Sequence, residues 1–172
     1  MINPEILREY DIRGIYGKSL TLKDISKIAL AISKKLKENN SFDIIIGHDG
    51  RASSLEIKNT LIDNFISYGI EVIDISLIPT PISYFASKYY KIPNLIMITG
   101  SHNPKEYNGL KMIINNKPFF GEKIKSLNDI DDAPLSSTLG QLKFKDVITP
   151  YTEEIISQFN NLDKLKIVWD PG

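Results

Sequence analysis

The chain has 172 residues, 42% of them hydrophobic, with 21 basic side chains balanced by 21 acidic ones and no cysteine. That is enough apolar mass for one domain with some excess, it excludes disulfides and thiolate metal sites, and it supplies no net field to attract nucleic acid. The first residues lack a basic region followed by an apolar stretch, and no apolar run approaches the ~20 residues of a bilayer span. The expected setting is therefore cytoplasmic, with neither membrane nor nucleic acid as partner.

Residues 21–39 carry Leu22, Ile25, Ile28, Ala29, Ile32 and Leu36 at helical spacing, with Thr21 and Asp24 forming a capping box. Residues 42–47 are a β-rich run ending in Gly47-His48-Asp49-Gly50-Arg51, after which Ser53 or Ser54 is placed to cap a second helix reaching Tyr68. Residues 71–75 repeat the strand, Pro79-Thr80-Pro81 opens a third helix to Tyr90, and residues 95–99 give a third strand. This alternation predicts an α/β domain with a largely parallel sheet. Residues 109–114 then read as a strand at a hairpin or sheet edge, turning at Asn115-Asn116-Lys117, and residues 121–128 as one short helix. Residues 129–138 resemble an exposed connector, and the domain is expected to close near Val147. Residues 150–160 have helical spacing, and 166–170 form a strand-like run that meets Pro171-Gly172. A strand ending in a turn signal predicts that residues 148–172 begin a second domain whose remainder is missing.

The segment Thr99-Gly100-Ser101-His102-Asn103-Pro104 follows an apolar strand and must turn at the proline. It puts a nucleophile-capable serine at the carboxyl edge of the sheet, where open α/β folds bind ligands. A plain Ser/Asn/Pro turn is the competing reading. The chain has only three arginines, Arg8, Arg13 and Arg51, against eighteen lysines, so an arginine in this background points to a need for its planar fork. His102 is one of two histidines.

Arg8-Glu9-Tyr10-Asp11-Ile12-Arg13-Gly14, Gly47-His48-Asp49-Gly50-Arg51 with Ser53-Ser54, Thr99 to Pro104, and Tyr107-Asn108-Gly109-Leu110-Lys111 occur in an order and spacing that resembles the N-terminal domain of the α-D-phosphohexomutases. The likeness is greatest to the bacterial phosphomannomutase/phosphoglucomutase branch and covers roughly residues 5–125. It implies a three-layer α/β/α domain I with a mixed, mostly parallel sheet over residues 1–147, and the start of domain II over 148–172. It further implies a phosphoserine at Ser101 that exchanges its phosphoryl group with hexose 1-phosphate and 6-phosphate, mannose or glucose, through a hexose 1,6-bisphosphate.

In that scheme Ser101, Lys111, His102 and Arg13 are catalytic, and Tyr10, Arg13 and Lys111 meet the substrate. Lys111, on the next strand, would lie beside Ser101 if the two strands pair, and would offset phosphate charge or move a proton. Its ordinary alternative is a solvated lysine. A Gly100 or His102 amide would help hold phosphate oxygens. Arg13 would hold phosphate or steady the leaving oxygen, or else simply pair with Asp11 or Glu9. Tyr10 is equally compatible with a half-buried strand tyrosine. Asp49, Arg51 and Asn103 support the loop.

The resemblance also implies Mg2+ on a phosphate oxygen of Ser101, with its remaining ligands in an Asp-Gly-Asp-Xaa-Asp-Arg loop of domain II that this sequence lacks. Asp131-Asp132 read as solvated charge rather than a substitute. Without domains II to IV the chain is expected to be inactive alone. The alternatives are a non-catalytic protein that binds sugar phosphate or a partner, and a serine hydrolase, which the missing Gly-Xaa-Ser-Xaa-Gly elbow disfavours. Nucleotide binding lacks its glycine-rich motifs.

Overall fold

The computed structural model describes residues 1–129, 135–159 and 166–170. A 3-10 turn over Pro4–Ile6 precedes β1 (Ile12–Ile15), followed by α1 (Leu22–Glu38), β2 (Asp43–His48), α2 (Ser54–Ser67), β3 (Glu71–Leu77), α3 (Thr80–Tyr89) and β4 (Leu95–Ile98). Beyond the serine loop come β5 (Tyr107–Ile114), β6 (Lys117–Pro118), α4 (Glu122–Lys125), β7 (Leu142–Phe144) and α5 (Ile148–Ser157). The described strands form one seven-stranded sheet in the order β1-β5-β4-β2-β3-β7, with β6 on β5. β2 is parallel to β3 and β4, and β7 is parallel to β3, while β5 is antiparallel to both β1 and β4.

Alternating strand residues divide the core in two. Ile44, Ile46, Ile96 and Ile98 face α1 and α2, meeting Ile25, Ile28, Ile32, Ile57, Leu61 and Phe65. Ile45, Ile73, Leu95 and Met97 face the other way, toward Ile82 and Ala86 of α3. This is the three-layer α/β/α arrangement expected. Each isoleucine buried completely contributes about 1.5–3 kcal/mol, which makes the β-branched strands the main source of cohesion.

Helix starts follow the local chemistry in one case and depart from it in another. Thr21 Oγ1 accepts from the Asp24 amide and Asp24 Oδ2 accepts from the Thr21 amide, completing the capping box of α1. At α2, Ser53 occupies the cap position but makes no side-chain cap bond. Ser53 Oγ instead accepts from Asn108 Nδ2, and Ser54 Oγ donates to Asp49 Oδ1. The two serines are committed to the loop region rather than to their helix.

Several expectations change. The strand over 109–114 is not an edge, because β1 covers its free side. β1 resolves as a strand what sequence left as an early strand or turn around Arg13, and β7 carried no clear sequence signal. Beside β7, Gly140 is required because a Cβ there would lie 1.9 Å from the Ile70 carbonyl oxygen. The turn at Asn115-Asn116 is as expected, with φ of 52° and 58°, the left-handed pair that two-residue hairpins need. Residues 121–128 divide into α4 and a 3-10 turn over Ser126–Asp129. Residues 166–170 form no strand, having no ladder partner among the described residues, and Ile167, Val168 and Trp169 are exposed. Asp131, Asp132, Pro171 and Gly172 lie outside the described residues. Val147 is buried and Tyr151 of α5 packs edge-on against Phe85 of α3, with ring centroids 5.3 Å apart.

Candidate active site

β4 ends at Ile98, and the chain leaves the sheet at buried Thr99 and Gly100 before presenting Ser101 and His102 to solvent. The neck of the loop is fixed by hydrogen bonds. The Thr99 amide donates to the Gly109 carbonyl, the Ser101 amide to Thr99 Oγ1, and the Asn103 amide to the Gly100 carbonyl. Ser101 itself has φ of 52°, a left-handed conformation that costs a non-glycine residue about 1–2 kcal/mol. Its Oγ lies 3.4 Å from His102 Nδ1.

Two arginines brace this loop from opposite sides. Arg51 follows β2, and its guanidinium donates to the carbonyls of Pro104, Tyr107, Ser101 and Asn103 at 2.6, 2.9, 2.8 and 2.7 Å, while Nε donates to Asp49 Oδ2 at 3.2 Å. No lysine could make that set of bonds, since only the planar fork aims so many donors at once. Arg13 comes from β1 and is buried. Its Nη1 donates to the Gly100 carbonyl and to Asn103 Oδ1, each at 2.5 Å, and its Nη2 pairs with Asp11. Gly109, opposite Arg13 in the β1–β5 ladder, makes room for this side chain: a Cβ at Gly109 would lie 3.0 Å from Arg13 Nε and 2.0 Å from the Ile12 carbonyl oxygen.

Asp49 ties the Arg51 loop to the serine loop. Its carboxylate accepts from Ser54 Oγ, from the Arg51 amide and, at 3.3 Å, from the Gly100 amide. Burial works to raise its pKa, but these bonds, with a further one from Thr99, outweigh burial and hold it below the ordinary carboxylate value. Of the two amides that sequence offered for an anion, that of Gly100 is directed at Asp49 instead. The His102 amide donates to no group among the described residues.

Lys111 stands on β5 as expected, but the register pairs it with Met97, four residues before Ser101. Its ammonium donates to Asp11 Oδ2 at 3.1 Å, the same oxygen that holds Arg13. Tyr10 is 77% exposed rather than half-buried. It lines a pocket of about 410 Å³ with Lys111, Tyr84 and Phe120, among others. Of the residues that sequence singled out, Arg13, Asp49, Arg51 and Asn103 join the Ser101–His102 loop by hydrogen bonds, Lys111 is linked to it through Asp11, and Tyr10 stands at the pocket. Ser54, Thr99 and Asn108 were not assigned as supports, although all three lie in the stretches that carry the family resemblance, and Ser54 was read as a helix cap.

The implied magnesium finds no ligand set here. Among the described residues no three His, Cys, Asp or Glu side chains are grouped to share a cation, and the Asp11 and Asp49 carboxylates are occupied by Arg13, Lys111 and Arg51. No helix among the described residues is long and apolar enough to cross a membrane.

Residues 4–132 match the model of the phosphoglucomutase/phosphomannomutase α/β/α domain I. The chain is 32% identical over 168 residues to a phosphomannomutase/phosphoglucomutase of Pseudomonas aeruginosa, covering 97% of this chain and 36% of that protein. It is 34% identical over 171 residues to a phosphoglucomutase of Neisseria meningitidis serogroup B, covering 98% and 37%. A crystal structure of a phosphoglucomutase/phosphomannomutase family protein from Burkholderia thailandensis superposes with a TM-score of 0.83 at 32% identity, over 91% of this chain and 36% of that one. The chain therefore spans little more than a third of the length of these relatives.

Proposed function

Since the chain belongs to the phosphoglucomutase/phosphomannomutase family, we propose that it is the phosphoserine-bearing domain of a mutase that interconverts hexose 1-phosphate and hexose 6-phosphate. The observation that carries this reading is an exposed Ser101 hydroxyl on a loop whose backbone carbonyls are gripped by two guanidiniums. Such a loop can present a phosphoryl group while its own backbone stays fixed. In the forward step the Ser101 Oγ–P bond breaks as a sugar hydroxyl oxygen bonds to phosphorus, and the proton that this hydroxyl loses is matched by one taken up at Ser101 Oγ. The resulting hexose bisphosphate turns over and returns its other phosphate to Ser101 Oγ.

His102, with Nδ1 close to Oγ, is suited to manage the proton at the serine oxygen, and the His102 amide to donate to a phosphate oxygen. Lys111 supplies positive charge at the pocket that Tyr10 borders, and this pocket takes the hexose. Arg13 and Arg51 act on the loop, because their bonded donors go to its carbonyls, to the Asn103 side chain and to Asp11 and Asp49. An Mg2+ ion would take from this chain one oxygen of phosphorylated Ser101 and would neutralise phosphate charge there. The remaining catalytic parts belong to chain beyond residues 1–147, so the 172 residues alone turn over little. The protein works in the cytoplasm, where its phosphorylated sugars occur.

A serine hydrolase is disfavoured because His102 bonds to no carboxylate among the described residues, leaving it without an orienting third group. Intact-mass spectrometry with fragmentation of the protein from its native cell tests the mutase reading. Phosphate located on Ser101, discharged by hexose 1-phosphate and absent from Ser101→Ala, is the expected result. A Ser101 that is never phosphorylated, in a protein that binds hexose phosphate equally well after Ser101→Ala, would establish the non-catalytic alternative.

A further inference from the structure

We infer that Asp11 is a positioning residue whose single oxygen, Oδ2, couples Lys111 at the pocket to Arg13 in the serine loop. The catalytic consequence rests on the mutase reading above, whereas the coupling itself does not. Asp11 lies just before β1 with its side chain 13% exposed, and Oδ2 accepts from both Lys111 Nζ and Arg13 Nη2. Arg13 faces Gly109 across the β1–β5 ladder, and Lys111 is two residues farther along β5, so the two cations extend from the same face of adjacent strands. Like charges so arranged repel unless a counter-ion stands between them.

Neither cation has a ready substitute for Asp11. Lys111 makes no other hydrogen bond or ion pair among the described residues. Arg13 already has a buried Nε without a partner, and its Nη1 is committed to Gly100 and Asn103. Removing the carboxylate leaves a second guanidinium donor unmet in a buried place, which favours rearrangement of the whole side chain. The carbonyl of Gly100 and the side chain of Asn103 would move with it. Asp11 therefore performs two tasks at once: it holds the Lys111 ammonium at the pocket beside Tyr10, and it completes the grip on the neck of the loop that presents Ser101.

The test uses the full-length protein with Asp11→Asn, Lys111→Met and the double variant, followed by kcat and KM on glucose 1-phosphate, hydrogen exchange of residues 99–107, and thermal melting. Asp11→Asn is expected to lower kcat by about 10²-fold, the cost of a misplaced reacting group, with little change in KM. It should also speed exchange at residues 100–103 in a protein that still melts cooperatively. In the Lys111→Met background the same change should cost less, because the share that runs through Lys111 has already been removed while the share that runs through Arg13 remains. Lys111→Met alone should leave the loop protected, because Arg13 keeps its carboxylate. Equal losses in both backgrounds, or an unaltered loop in folded Asp11→Asn, would overturn the assignment. So would a loop loosened by Lys111→Met relative to the wild type, a comparison that holds even if Asp11→Asn fails to fold. If the wild type turns over no hexose phosphate, the mutase reading fails by itself while loop exchange still decides the role of Asp11.

Discussion

Ser101 combines an exposed hydroxyl with a left-handed backbone, and these two properties can be separated by substitution. Both Ser101→Ala and Ser101→Gly remove the hydroxyl, but only glycine adopts a φ of 52° without steric cost. Ser101→Gly is therefore expected to be more stable than Ser101→Ala by about 1 kcal/mol, read as the difference in urea midpoints at equal slope. Equal midpoints would show that the loop relaxes to negative φ when the hydroxyl is gone. Ser101 could be singled out in sequence by its place between a glycine and a histidine at the end of an apolar strand, although a plain turn competed as a reading. Its conformation could not be read, since it depends on Thr99, Arg13 and Arg51 closing around the loop from three separate segments. The role of Arg51 was legible for a different reason: an arginine retained against eighteen lysines signals a demand for geometry, and the structure gives it five acceptors.

The pairing of β1 with β5 shows how an element can be invisible locally and decisive structurally. Four residues, Ile-Arg-Gly-Ile, offer too little pattern to announce a strand, yet they cover the side of β5 and carry Arg13 to the loop. Gly109→Ala tests that contact. With a Cβ 2.0 Å from the Ile12 carbonyl oxygen, β1 must separate from β5, and a loss of about 3 kcal/mol is expected in urea denaturation, with faster exchange at residues 12–15. By contrast α1, α2 and α3 were readable to within a residue or two, because their apolar spacing and their Thr and Pro starts act within one turn.

The β2–β3 pair carries a different kind of signal. Asp43 lies opposite Glu71, and burial first, then the charge of Glu71, hold its carboxyl above the ordinary value of 3.8. A group with a raised folded value favours folding more as pH falls from that value toward 3.8, and opposes it at neutral pH. Asp24 and Asp49 behave in the opposite sense. Burial tends to raise both, but hydrogen bonds hold them below 3.8, so their contribution is present above 3.8 and is lost as pH falls through their lowered values. Asp43→Asn should thus raise the neutral-pH urea midpoint and flatten its dependence between neutrality and about pH 4, leaving the steeper loss below that untouched. A wild-type profile that declines steadily from pH 7 would contradict this division.

At the scale of the whole molecule, the apolar surface is unevenly finished. The two cores are closed, while Ile156 on α5 is 62% exposed and Trp169 is 82% exposed. Exposed apolar surface of this kind favours association. The 172-residue chain, prepared alone, is expected to show concentration-dependent oligomers in sedimentation velocity, weakened by Ile156→Lys combined with Trp169→Lys. A monomer at all concentrations would mean that these side chains find cover within the chain. The three-layer architecture could be read from the order of strands and helices, whereas the antiparallel insertion of β5 between β1 and β4 could not, because it is fixed by contacts some ninety positions apart.

That insertion also has a consequence in time. Arg13 reaches Asn103 across a sequence separation of 90 residues, and β1 cannot join the sheet before β5 exists. At translation rates of about 5–20 residues per second, the guanidinium leaves the ribosome roughly 5–20 s before the carbonyl it will hold. The first residues made are thus among the last to dock, and the serine loop gains its finished shape only when nearly the whole sheet has emerged. A kinase, phosphatase or sugar bisphosphate meeting the nascent chain earlier would find a serine without its frame.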